Sequence, residues 1–554
     1  MSEMPPEDHR LFVCLGAPIK PRQKRDAARK IDEFITDARA VEGGEAMARL
    51  IESKPSLRTF LEGVAWSSPY LTDLLMKDPV RSARLLKKEP IAAIDEVIAG
   101  VRELRPDGEA DLMRALRLAK AEVALTLGLG DLGQVLSVDA VTDALSRFAD
   151  AALNAAIRFA LREETVRGKF MAKDSEAAER DSGYIVLAMG KYGAFELNYS
   201  SDIDLIVFYD LSVAPVEDRD TAQAFFVKVT KRVVKIMQER TPDGYVFRTD
   251  LRLRPDPGIT PIALSVDAAL QYYESLGQNW ERAAMIKARA CAGDIPAGDR
   301  FLKEIVPFIW RKYFDYAAIQ DVHSIKRQIH AHRGHGEIAV EGHNVKLGRG
   351  GIREIEFFVQ TQQLIAGGRA PGLRGRQTID MLDRLAKAGW IETTVRDELT
   401  EAYRFLRQVE HRIQMVADEQ THALPEDEEG VDRIGRMMGF SGFKTFATAL
   451  LKRLSTVQRH YARLFENAPE LSKDAGNLVF TGDDDDPGTL ETLSRLGYHN
   501  PKAVTEAVRA WHFGRYPATR SAAARERLTE ITPALIDALA ATRNADAAFS
   551  AMDD

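Results

Sequence analysis

One stretch of this chain restricts its fold more than any other. Residues 187–209 read LAMGKYGAFELNYSSDIDLIVFY. An apolar run from Ile185 to Met189 ends in Gly190-Lys191, and the polar turn Ser200-Ser201 follows. Asp202 and Asp204 then stand two apart at the start of a second apolar run. In a strand, side chains at i and i+2 share a face. Two carboxylates held side by side repel. A divalent cation is the usual compensation, and all-oxygen ligation suits Mg²⁺.

About 45 residues on, 244–255 read GYVFRTDLRLRP. Tyr245, Phe247, Leu251 and Leu253 alternate with Val246, Arg248, Asp250, Arg252 and Arg254, which predicts a half-buried strand over this segment. If the two strands are neighbours, Asp250 is a third carboxylate. Three carboxylates can hold two metal ions about 4 Å apart, an arrangement suited to in-line displacement at phosphorus. The arginines would then face phosphate oxygens. The competing reading is a sheet edge blunted by charge.

These residues carry a resemblance. Gly190-Lys191, Asp202-x-Asp204 and Asp250 resemble the signature of the polymerase-beta-type nucleotidyltransferase superfamily. NWERAAMIKARACAGD (279–294), NVKLGRGGIREIEFFVQ (344–360) and FLRQVEHRIQMVADEQTHALP (405–425) join the first two strings in resembling one family within it, the bifunctional glutamine synthetase adenylyltransferase/adenylyl-removing enzymes. The resemblance implies an α+β, predominantly helical fold, with a small mixed β-sheet nucleotidyltransferase core flanked by helical domains. Family members usually carry two such units, whereas one is visible here. ELNYSSD (196–202) resembles the N-terminal, adenylyl-removing unit, so the chain is expected to be a natural or engineered fragment that lacks the adenylylating half.

The implied activity is removal of AMP from an adenylylated tyrosine of glutamine synthetase, with phosphate as acceptor and ADP as product. Asp202, Asp204 and Asp250 are the expected catalytic and metal-binding residues, with two Mg²⁺ ions or, alternatively, Mn²⁺. Gly190, Lys191, Ser200, Ser201, Arg252, Arg254, Lys346 and Arg349 are the expected nucleotide- and phosphate-binding residues. A PII signalling protein is an implied partner. Transfer of AMP from ATP is the alternative activity, because the same metal site permits both directions. A non-catalytic regulatory module is the alternative of a different class.

Composition restricts the rest. A net charge of −7 and a pI near 6.0 argue against general nucleic-acid binding. Cys14 and Cys291 are the only cysteines, so no disulfide framework is expected and a reducing cytoplasm fits. No apolar run is long enough to predict a membrane span, and the N-terminus lacks the pattern of a secretory signal.

Along the chain, 1–180 is expected to be a helical region and 181–300 the catalytic core. Residues 301–470 are expected to be a helical bundle, and 471–554 an acidic linker with a last helical segment. Helix breaks are expected at Lys54-Pro55, Ser68-Pro69, Asp78-Pro79, Pro106-Asp107-Gly108 and Gly128-Leu129-Gly130. Helix is predicted over about 217–239, Ser265–Leu276, Trp280–Ala290 and 297–332. Leu399, Tyr403, Leu406, Val409, Ile413 and Val416 repeat at spacings of 3 and 4, an amphipathic helix. Glu410 and His411 beside that stripe read as a helix–helix polar contact. Lys346 to Glu354 is glycine-rich and opens a helix. It is either an anion-binding turn or a tight connection. His323, His330, His332, His335 and His343 lack the partners of a metal site and read as a polar loop. Asp483–Asp486 lacks EF-hand spacing and reads as a solvated linker.

Overall fold

The computed structural model describes residues 9–16, 19–310, 339–463, 487–512, 516, 522–542 and 544–553. Among the described residues the fold is predominantly helical around one small mixed sheet. Residues 24–166 form successive helices, four of which begin on a proline: Pro55, Pro69, Pro79 and Pro90. Proline fits there because first-turn amides have no intrahelical partner. The expected break at Gly128-Leu129-Gly130 does not occur, and one helix runs from Glu109 to Leu132. These glycines serve packing. A Cβ on Gly128 would lie 2.6 Å from Leu71 Cδ2 and 2.9 Å from the Tyr199 hydroxyl.

The sheet has five strands: β1 (Tyr184–Ala188), β2 (Ile203–Tyr209), β3 (Thr249–Asp250), β4 (Leu264–Ser265) and β5 (Arg289–Gly293). Along it the order is β3-β2-β1-β5, with β4 also pairing with β2. β1 is antiparallel to β2 and to β5, while β3 and β4 run parallel to β2. β1 and β2 are covered on both faces, which is why they read as continuous apolar runs. Val186, Leu205 and Val207 pack into the large core that the N-terminal helices share with residues up to Tyr461. Ile185, Leu187, Ile206 and Phe208 pack into a second core with Tyr273, Phe301 and Leu364. Leu493, Val508, Trp511 and Phe549 belong to a third, separate core near the C-terminus.

Two further expectations are corrected. The strand predicted over 244–255 shrinks to Thr249–Asp250, because Val246 and Phe247 are both buried and residues after Asp250 turn away into a loop. The helix predicted over Trp280–Ala290 ends at Met285, and the chain re-enters the sheet as β5. The other predicted helices form as Ala222–Gln238, Val266–Ser275, Ile352–Ala366 and Thr393–Met415, whereas the helix predicted over 297–332 breaks at Ile305 into Ile295–Glu304 and the short Val306–Ile309. The helix predicted to reach 332, four of the five clustered histidines and Asp483–Asp486 lie outside the described residues wholly or in part. Among the described residues no helix is long and apolar enough to cross a membrane.

Candidate active site: a carboxylate cluster at the head of β2

The cluster follows from strand register. β3 pairs in parallel with β2, with Ile203 opposite Thr249 and Asp204 opposite Asp250. Residues opposite one another on adjacent strands present their side chains to the same face. Asp202 shares that face by the two-residue period. The three side chains each bring a carboxylate oxygen within 4.8 Å of the others, and all three are half-buried.

Crowding and burial set the electrostatics. Burial, followed by the neighbouring Asp202 and Asp250 charges, pushes the Asp204 carboxyl up to about 7. Lys346 and Arg353 oppose this rise. Asp250 behaves differently. Burial works to raise it, but its bonds with Arg252 outweigh that and hold it below the ordinary carboxylate range. The Arg252 guanidinium reaches Asp250 Oδ2 through Nε at 2.9 Å and Nη2 at 2.6 Å. An oxygen-only donor set with one carboxyl driven toward protonation fits a hard divalent cation, which would relieve the repulsion.

Gly190 explains the turn before the cluster. Its φ is +52°, and a Cβ there would lie 3.0 Å from Asp204 Oδ2. Glycine meets both the left-handed conformation and the close approach of the carboxylate. The Met189 amide donates to the Asp204 carbonyl at 2.9 Å, tying the turn to β2.

The other predicted residues divide. Ser201 Oγ lies 3.3 Å from Asp202 Oδ1, beside the cluster. Ser200 is buried, and its carbonyl and hydroxyl oxygens accept from Arg248 at 2.6 and 2.8 Å. Lys191 is directed at the buried Glu410 carboxylate, at 3.2 Å. Burial lowers the Lys191 ammonium to about 8 even against the pull of Glu410. Lys346 Nζ lies 3.3 Å from His422 Nε2, whose Nδ1 is 2.7 Å from Glu410 Oε1. Arg254 holds the loop after β3, donating to the carbonyls of Leu251, Pro257 and Thr260 at 2.9, 2.7 and 3.2 Å. Arg349 faces the Gln458 side chain, whose amide oxygen, turned toward it, accepts from Nε at 2.7 Å.

The glycine-rich segment behaves as a tight connection. The Gly350, Ile352, Arg353 and Glu354 amides all bond inside it, to Glu354, Val345, Lys346 and Gly351. A Cβ on Gly350 would sit 2.2 Å from the Leu454 carbonyl oxygen. Backbone donors at this helix start are therefore already committed.

The strings at 279–294 and 405–425 carry further residues that lie around the site, among them Lys287 and Arg289, for which the sequence leaves open a reach to the sheet or a solvated face. Lys287 is buried and reaches Glu196 Oε2 at 2.7 Å and Thr378 Oγ1 at 3.1 Å. Arg289 lies on β5 and pairs with Asp150 at 2.8 Å, over the Phe195 ring at 3.9 Å. Glu410 is a partner of Lys191 in the turn after β1 rather than a simple helix–helix contact. His411 meets the expectation of a polar contact between helices, with Nδ1 2.9 Å from Asp131.

Residues 59–304 match the family described as glutamate-ammonia ligase adenylyltransferase, and residues 323–465 match GlnD PII-uridylyltransferase. The chain is 54% identical over 551 residues to a protein of Mesorhizobium japonicum named bifunctional glutamine synthetase adenylyltransferase/adenylyl-removing enzyme, covering 99% of this chain and 56% of that one. Proteins of the same name from Rhizobium meliloti and Brucella melitensis are 54% and 51% identical, over 97% and 98% of this chain and 55% of each relative. The chain thus spans about half the length of the curated relatives it matches.

Proposed function

We propose that this chain is a nucleotidyltransferase that removes AMP from an adenylylated tyrosine of glutamine synthetase by phosphorolysis. The observation that carries the reading is the convergence of Asp202, Asp204 and Asp250 within 4.8 Å beside the Gly190 turn. The names of the relatives supply the substrate protein. The likeness of ELNYSSD to the N-terminal family unit supplies the direction.

In this reading a phosphate oxygen attacks the AMP phosphorus, the bond from phosphorus to the tyrosine oxygen breaks, and ADP leaves. The tyrosine oxygen takes up a proton, and no dedicated base is assigned. Asp202, Asp204 and Asp250 would hold two Mg²⁺ ions, which when bound stabilise charge on the phosphoryl oxygens. Lys346 and Arg353, whose charges act on Asp204, are the cations best situated to offset the approach of two anions. Arg252 steadies Asp250. Ser201 orients Asp202. Lys191, Ser200 and Arg254 contribute through the positions of the loops they hold. Arg349 is assigned to the connection with Gln458 rather than to phosphate. A PII-type protein remains the proposed regulatory partner, and the cytoplasm the proposed location.

Direction is tested by comparing the two reactions. Adenylylated and unmodified glutamine synthetase are each given to the purified chain with Mg²⁺, the first with phosphate and the second with ATP. Loss of AMP from the first, at a rate well above its addition to the second, supports removal. Efficient addition from ATP with no response to phosphate would assign the chain to adenylyl transfer.

A further inference from the structure

The segment that delivers Asp202 to the cluster has almost no backbone ladder of its own. After the turn at Gly190–Gly193, the chain runs without regular structure until Ile203. Buried backbone groups still need partners. Here side chains from elements distant in sequence supply them. The Leu197 amide donates to Ser146 Oγ at 3.3 Å, and the Ser200 amide to Gln414 Oε1 at 2.9 Å. The Glu196 carbonyl accepts from the Arg407 guanidinium, which also reaches Asn198 Oδ1 at 2.8 Å.

Three of the supporting residues come from one helix, Thr393–Met415. Arg407, Glu410 and Gln414 are spaced by 3 and 4, so they share a face. They grip the loop at its start (Lys191 to Glu410), its middle (Glu196 and Asn198 to Arg407) and its end (Ser200 to Gln414). All three are buried.

We propose that Arg407, Glu410 and Gln414 are positioning residues for the carboxylate cluster: they fix loop 190–202 so that Asp202 meets the cation position shared with Asp204 and Asp250. The proposal rests on the reading that the cluster binds a divalent cation. A loop with no ladder samples other positions once a grip is removed. Apparent metal affinity then falls by the fraction of time the loop is in place. The signal originates in a helix about 200 residues from the loop and within the stretch that matches the second family. Anything that shifts this helix therefore acts on the metal site without touching it.

The test is Mn²⁺ binding to the full chain, by titration calorimetry without nucleotide or phosphate. Gln414→Met keeps the side-chain volume and removes the acceptor. Arg407→Met removes the second grip. Each should bind Mn²⁺ about tenfold more weakly than the unaltered chain. Val409→Ala, in the same helix but facing the core, is the control. It should lower thermal stability while leaving Mn²⁺ affinity within about twofold. If one methionine variant does not fold, the other decides. Affinity within about twofold in the folded methionine variants overturns the proposal. So does an equal loss of affinity in Val409→Ala, since general loosening would then explain it. Absence of Mn²⁺ binding by the unaltered chain would remove the metal reading itself, and this inference with it.

Discussion

The Lys191–Glu410 pair offers a prediction whose size follows from burial. Glu410 is fully buried and Lys191 is 11% exposed at its side chain. Burial works to raise the Glu410 carboxyl, yet Lys191 first, then His422, Lys346 and Arg407, hold it well below the ordinary range. Glu410 is thus a shared counter-charge for several cations. Removing one partner of such a pair leaves an uncompensated buried charge, at a cost of about 3–5 kcal/mol. For an isolated pair, removing both with apolar residues of similar volume costs far less, but here His422, Lys346 and Arg407 would still lose Glu410. Glu410→Leu should destabilise by about 3–5 kcal/mol, because it strips the counter-charge from several buried cations, and Lys191→Met by about 1–2 kcal/mol, because His422, Lys346 and Arg407 still face Glu410. The double variant should cost no more than Glu410→Leu alone, since Lys191 without Glu410 is itself an uncompensated buried charge.

The large core runs from Leu11 to Tyr461, so the cooperative unit is several hundred residues long. For a unit of that size the entropy of unfolding is near 1 kcal/mol per degree, and each kcal/mol shifts Tm by about 1 °C. Glu410→Leu should therefore lose about 3–5 °C, Lys191→Met about 1–2 °C, and the double variant no more than Glu410→Leu, in differential scanning calorimetry. Additive losses in the double variant, to within about 1 °C, would refute the reasoning, because they would mean that the two charges do not depend on one another.

Asp202→Asn, Asp204→Asn or Asp250→Asn should each lower turnover of adenylylated glutamine synthetase by a factor of about 10³ or more with the circular dichroism spectrum unchanged; activity near that of the unaltered chain would remove that residue from the site. Gly190→Ala should lower Tm by about 1–3 °C and reduce activity, since the added Cβ meets the Asp204 carboxylate in a left-handed turn; an unchanged Tm would show that the turn relaxes freely. Lys120 is buried against the Phe247 ring at 4.3 Å, and burial lowers its ammonium to about 8 from the ordinary 10.5. The unfolded chain therefore binds more protons between those two values, and this group's penalty is full below pH 8 and fades as pH rises toward 10.5. Lys120→Met should raise Tm at pH 7 and raise it less at pH 9.5; an advantage that is equal at both pH values would contradict the burial cost.

The part of the site legible in the sequence was the part built on strand periodicity. Asp204 lies on a strand buried on both faces and Asp202 immediately before it, two residues apart, and the apolar run announces that strand. Asp250 was reachable through the alternation around it, although the strand that carries it has only two residues. β5 was hidden because RACAG has no alternation and no β-branched residue, and it follows a helix without a turn signal. Gln414 and Arg407 could not be read at all. They sit on a helix whose apolar stripe accounts for its burial, and their partners lie more than 200 residues away. Arg252 and Arg254 shared a predicted strand face only because the strand was extended too far. In the loop that replaces it, one steadies Asp250 and the other ties carbonyls together. The glycines at 348, 350 and 351 resembled an anion-binding turn, but their neighbouring amides are consumed locally.

The measurement that bears most directly on phosphorolysis follows the fate of the attacking phosphate. Adenylylated glutamine synthetase is incubated with the chain, Mg²⁺ and ³²P-labelled inorganic phosphate, and the nucleotides are separated. If phosphate attacks the AMP phosphorus, labelled ADP accumulates in step with restored tyrosine, with all of its label in the β-phosphate. Unlabelled AMP as the released nucleotide, or tyrosine restored at the same rate without phosphate, would contradict the account.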